Sequence, residues 1–146
     1  MLTREEANKL IEMLKHTVEN TIVFPSLTGR TSFIVVGEHR KDEFVINIDR
    51  KGKNAEKCTY QGRIQQTNQV LMRLDIDPTG RHTNPELIGT IIYGNHLHIY
   101  SEEFDMKFAI PFDIEDKDLY SLCYTFFEKF HIIDPPNVLH QERYKV

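Results

Sequence analysis

"RTSFIVV" (Arg30–Val36) and "EFVINID" (Glu43–Asp49), joined by "GEHRKD" (Gly37–Asp42), form the stretch on which the fold turns. The first run is β-branched and aromatic, residue types that suit a pleated, half-buried surface. In the second, Phe44, Ile46 and Ile48 share one face while Val45, Asn47 and Asp49 share the other, the two-residue period of a strand. A short polar turn between two such runs predicts an antiparallel pair.

Working outward, Arg50–Asn54 reads as a polar turn and Lys57–Ile64 as a third strand. "QVLMRLDID" (Gln69–Asp77) is a fourth, with Val70, Met72, Leu74 and Ile76 on its apolar side and Arg73, Asp75 and Asp77 opposite. Pro78 and Gly80 end it. Arg81–Leu87 then reads as a loop, Ile88–Tyr93 and His96–Tyr100 as strands turning at Gly94-Asn95, and Lys107–Pro111 as the last strand. Upstream, Thr3-Arg4-Glu5-Glu6 is a capping box. Ala7, Leu10, Ile11, Leu14 and Val18 follow it at helical spacing, predicting a helix to about Asn20 with Lys9, Glu12, His16 and Glu19 on its polar side. Downstream, Leu119, Leu122, Cys123, Phe126, Phe127 and Phe130 form a helical apolar stripe, capped by Asp113 or Asp116. The expected architecture is α+β: an antiparallel, twisted sheet of about six strands with N-terminal and C-terminal helices packed on one face. Residues 1–146 make one domain, with 136–146 a loosely packed tail after Pro135-Pro136.

The 146 residues carry 18 Lys and Arg against 22 Asp and Glu, a net charge of −4, which argues against broad, non-specific phosphate binding. Cys58 and Cys123 lie far apart without metal or redox spacing and read as buried free thiols. No apolar run is long enough to span a bilayer, and the capping box follows Met1 closely, so no membrane and a cytoplasmic location are expected. Phosphate-loop, zinc-protease, nucleophile-elbow and dinucleotide signatures are absent.

What remains is "GRHTNPELIGTIIYGNHLHIY" (Gly80–Tyr100). Strand alternation places His96, His98 and Tyr100 on one face, expected to be exposed, with Leu97 and Ile99 turned to the core. The preceding loop brings Arg81, His82 and Asn84 toward them, and Arg73 and Asp75 join from the neighbouring polar face. His82, His96, His98 and Tyr100 are the catalytic candidates, because histidines on one face can serve as general acid and general base near neutral pH. Arg73, Asp75, Arg81 and Asn84 are the ligand-binding candidates, an arginine being suited to a phosphoryl or carboxylate group. The same His-x-His pair could hold a metal with His82 or Asp75 as third ligand, but no ligand spacing obliges one. No metal and no cofactor are therefore expected. Two function classes follow. One is a binding module, an inhibitor or adaptor with a protein partner. The other is a metal-independent ribonuclease of the toxin type, using His96 and His98 on RNA.

"RLDIDPTGRHTNPELIGTIIYGNHLHIYSEEF" (Arg73–Phe104) resembles the core of an uncharacterised family of small bacterial proteins, in which an Asn-Pro loop precedes a His-Leu-His-Ile-Tyr strand. That resemblance implies a bacterial, phage or mobile-element origin and a polar site in this region. It implies no activity.

Overall fold

The Thr3 hydroxyl accepts from the Glu6 N–H and the Glu6 carboxylate accepts from the Thr3 N–H, so the capping box starts helix α1 (Arg4–Glu12) as the sequence predicts. This computed structural model describes residues 1–50, 52, 54–86, 89–113 and 117–140. After α1 come β1 (Lys15–Thr17), β2 (Thr21–Phe24), β3 (Arg30–Gly37), β4 (Glu43–Asp49), β5 (Cys58–Ile64) and β6 (Val70–Ile76). Then follow β7 (Arg81–Thr83), β8 (Ile91–Tyr93), β9 (His96–Ile99), β10 (Ala109–Pro111), α2 (Leu119–Lys129), β11 (Ile132–Asp134) and β12 (Asn137–His140).

Among the described residues the main sheet has eight strands in the order β10-β9-β6-β5-β4-β3-β1-β11, with β12-β2 and β7-β8 as separate pairs. The class is α+β, as expected, but the sheet is larger than six strands and mixed: β1 pairs with β11 in parallel. The central pairs from β3 to β6, and β6 with β9, are antiparallel. Arg81–Thr83 is a strand rather than a loop, and the Ile88 start of the expected fifth strand lies outside the described residues. So does Asp116; α2 is instead capped by Asp118, whose carboxylate accepts from the Ser121 N–H at 2.7 Å.

The first helix is a clearer correction. It stops at Glu12, eight residues before the expected Asn20, although Leu14 and Val18 continue the helical spacing. Both are exposed. Lys15 provides the stop. Its fully buried Nζ donates to the carbonyls of Ile11, Met13 and Phe130, each at 2.9 Å, and lies over the rings of Phe44 and Phe130. Two of those carbonyls belong to the end of α1, and the third lies 115 residues downstream. Burial pushes the Lys15 ammonium down to about 7, yet three carbonyls need the three donors that only the charged form has.

Ala7 and Ile11 of α1 and Leu122, Cys123, Phe126 and Phe127 of α2 join one hydrophobic cluster with Phe33, Val35, Phe44, Ile46, Ile48, Tyr60 and Leu74 of the sheet. Gly62 on β5 has no side chain because the Phe130 ring fills its space; a Cβ there would lie 2.7 Å from the ring. Cys58 and Cys123 are buried free thiols, as expected. Burial pushes the Cys58 thiol up to about 11 and raises that of Cys123 as well, which leaves both unreactive.

Two stability outcomes follow from this packing. Lys15→Met should lower the unfolding free energy by about 2–4 kcal/mol, because several buried carbonyls lose their donor. Gly62→Ala should cost about 1–3 kcal/mol by overpacking against Phe130. Urea unfolding measures both, and an unchanged midpoint in either variant would refute the corresponding contact.

Candidate functional site

The polar residues of β6 alternate against the core: Leu74 and Ile76 go inward, Arg73 and Asp75 outward to the face opposite the helices. Antiparallel register then sets Arg73 across from His98 and Asp75 across from His96. Directly opposed residues on one face of a sheet stand close enough for side chains to touch, and here they do. Asp75 Oδ2 lies 3.2 Å from His96 Nε2 and 3.3 Å from His98 Nε2. Arg73 grips the same carboxylate with both arms, Nε to Oδ1 at 2.9 Å and Nη2 to Oδ2 at 3.1 Å.

His82 arrives from the β7–β8 hairpin. Its ring stacks on His96 with centroids 5.3 Å apart and meets His98 edge-on at 4.8 Å; His96 and His98 are 4.9 Å apart. One ring nitrogen from each of the three histidines lies within 4.8 Å of the others. The hairpin also accounts for a departure from expectation. His96 and His98 are buried, 6% and 2% exposed, where strand alternation predicts an open face.

Each imidazole is tied to a backbone carbonyl through one nitrogen. His96 Nδ1 contacts Gly94 O at 3.0 Å, His98 Nδ1 contacts Met106 O at 2.7 Å, and His82 Nε2 contacts Lys107 O at 2.7 Å. A carbonyl only accepts, so these nitrogens carry hydrogen. In the neutral rings the remaining nitrogen of each is then a lone pair: Nε2 of His96 and His98, and Nδ1 of His82. The carboxylate that two of them face is also an acceptor. His98 Nε2 is buried and, despite its proximity to Asp75, has no hydrogen-bond partner.

The charges around Asp75 favour a proton on His96, but not on both histidines at once. Burial alone would raise the Asp75 carboxyl, but His96, His98 and Arg73 outweigh it and hold the group well below the usual carboxylate range. Contact with Asp75 in turn raises the His96 imidazole. Satisfying both Nε2 atoms with protons would put two imidazolium ions and a guanidinium around one carboxylate, an excess of buried positive charge.

The other candidates stand elsewhere. Tyr100 turns into the core, 5% exposed, and its hydroxyl donates to Leu2 O at 2.7 Å. The reason is an extra residue in β6: the β5 register shifts between Gly62 and Arg63, Leu71 gains no partner there, and the Tyr100 N–H bonds to Leu71 O. Both Leu71 and Tyr100 follow that shift into the core. Asn84 is a buried clamp, its amide donating to Ala109 O and accepting from the Ala109 N–H, both at 2.8 Å. It fastens the hairpin side to β10. Arg81 is exposed on β7, opposite Tyr93, and lines neither recess beside the cluster.

Those two recesses meet at Arg73. One, of about 560 Å³, is walled by His82 and His98 together with Asn68, Asp105 and Lys107. The other, of about 380 Å³, runs across the sheet from Asp75 to Asn47, Gln61 and Arg63. Sequence reading passed over Arg63 and Gln61; the polar alternation Thr59, Gln61, Arg63 along β5 is the signal that marks them.

Residues 2–132 match the model of a family of unknown function (DUF6978), and the chain belongs to that family. No curated protein and no solved structure matches it. No helix among the described residues is long and apolar enough to cross a membrane.

The Asn84 clamp can be tested apart from any ligand. Asn84→Ala leaves a buried donor and acceptor of Ala109 unpaired and should cost about 2–4 kcal/mol. Amide exchange at Ala109 should accelerate with it; protection equal to wild type would remove Asn84 from the support of the hairpin.

Proposed function

We propose that this chain is a metal-binding module that holds one divalent first-row ion, such as Zn²⁺ or Fe²⁺, through His82, His96, His98 and Asp75. The observation that carries this reading is the convergence of lone pairs. Three imidazoles, each fixed by a carbonyl at one nitrogen, cluster together, and the second nitrogens of His96 and His98 both stand beside a carboxylate. Metal-binding histidines are held in the same way, their other N–H donated to a carbonyl or carboxylate that fixes tautomer and ring angle.

The spacing agrees. With bonds of about 2.1 Å, neighbouring donors of a tetrahedral ion are about 3.4 Å apart. The separations from Asp75 Oδ2 to the two Nε2 atoms are 3.2 and 3.3 Å. A cation there gives His98 Nε2 its missing partner and replaces two costly protons. Arg73 then orients the Asp75 ligand. Two histidines and one carboxylate suit Fe²⁺, and His82, with a ring nitrogen within 4.8 Å of those of His96 and His98, stands by as a further donor for Zn²⁺.

The test is calorimetric titration of chelator-treated protein with Zn²⁺ and Co²⁺, with the visible Co²⁺ spectrum as a readout of coordination. One ion per chain is expected, with affinity reduced more than about 100-fold in His96→Ala and His98→Ala. No saturable binding, or binding that both variants keep, would sink the proposal.

A second reading uses the same cluster without a metal: His96 and His98 as acid and base in RNA cleavage. It is favoured by the recess walled by His82 and His98, which brings a substrate to one side of the cluster. RNA degradation that persists in excess chelator and disappears in both variants would establish this reading in place of the first.

A further inference from the structure

We infer that the recess between Arg63 and Asp75 binds the phosphoryl group of a small phosphate ester, with Arg63 as its principal anchor. This inference rests on the metal reading for the positive charge at the Asp75 end, and on the recess itself for the rest.

The recess is lined by three arginines and two aspartates, a local excess of one positive charge on a chain whose net charge is −4. The three arginines are not equivalent. Arg30 is paired with Asp49 at 2.7 Å and Arg73 with Asp75. Arg63 has no carboxylate partner among the described residues: its Nε donates to Asn47 Oδ1 at 3.1 Å and its Nη1 to Asn68 Oδ1. Two neutral amide oxygens position the guanidinium without cancelling its charge. That costs more than an ion pair on an otherwise paired surface, and an anionic ligand supplies what is missing.

Asn47 is the keystone of this arrangement. It is 7% exposed, and its Nδ2 donates to Ser32 Oγ at 2.7 Å, which fixes its oxygen toward Arg63 and Gln61. Donors facing the recess from this side are the free arm of Arg63, the Gln61 amide and the Thr59 hydroxyl, and the Asp49 carboxylate on the same wall is held by Arg30. Because Nε and one Nη1 hydrogen of Arg63 are already engaged, the side-on Nε/Nη2 edge is closed and the guanidinium presents its Nη end to the recess. Separate donors converging from several residues match a tetrahedral phosphoryl group better than a planar carboxylate. A recess of about 380 Å³ is larger than inorganic phosphate needs, which leaves room for the esterified organic group. The cation proposed beside Asp75 adds positive charge at the far end of the recess.

Isothermal titration of metal-loaded protein with phenyl phosphate, and with phenylacetate as the carboxylate probe, tests this directly. Phenyl phosphate should bind at least tenfold more tightly than phenylacetate. Arg63→Gln should weaken it at least tenfold while its Zn²⁺ titration stays that of wild type. Phenyl phosphate binding that Arg63→Gln leaves unchanged, or equal affinity for the carboxylate, would overturn the inference. So would one bound Zn²⁺ per chain with no phenyl phosphate binding at all, a result that leaves the metal reading standing. Arg63-dependent phenyl phosphate binding by a chain that takes up no metal would support the recess and refute the metal centre.

Discussion

The pairing of β6 with β9 is the constraint on which the site depends. Asp75 opposes His96 and Arg73 opposes His98, so one carboxylate meets two imidazoles and a guanidinium without any loop having to place them. Because side chains alternate along a strand, a slip of one residue would send this whole set into the core and bring Leu74 and Leu97 out. The apolar residues therefore protect the polar arrangement: Leu74 is fully buried and Leu97 nearly so, and both belong to the core cluster. Burial on one face fixes electrostatics on the other.

The same division extends over the sheet. Both helices supply the apolar cluster on one side, through Ala7, Ile11, Leu122 and Phe126. On the other side β4, β5, β6 and β9 present Asn47, Gln61, Arg63, Arg73, Asp75, His96 and His98. The β7–β8 hairpin covers part of this polar face, bringing His82 onto His96. Rigid strands carry most of the polar groups, a better platform for fixed geometry than loops.

How far the sequence foretold this depends on the range of the interaction involved. Local signals read well: the capping box, the alternation in Glu43–Asp49 and the apolar stripe from Leu119 to Phe130 all specify their own elements. The end of α1 did not, because Lys15 draws on a carbonyl 115 residues away and nothing nearby in sequence marks the stop. The pairing of β1 with β11 is equally remote, and three-residue strands carry little pattern. At the site, alternation alone puts His96 with His98 on one face and Asp75 on the polar face of its own strand, while their meeting depends on the β6–β9 register. Tyr100 could not be placed this way, since the extra residue at Leu71 reverses the parity that alternation assumes. Arg63 could have been found, but its importance lies in what it lacks, a carboxylate partner, and that is visible only in three dimensions.

A comparison of two cations, Lys15 and Arg63, makes the final point. Lys15 and Arg63 are both held by oxygen atoms of neutral amides rather than by carboxylates. For Lys15 the acceptors are three main-chain carbonyls in the core, all three ammonium donors are used, and no access remains. Its charge is spent on joining the end of α1 to the end of α2. Arg63 uses two of its nitrogens on Asn47 and Asn68 and keeps the rest of its guanidinium toward a recess. The same chemistry thus serves structure where the donors are exhausted and recognition where they are not. The count of unused donors, rather than the charge itself, separates the two roles.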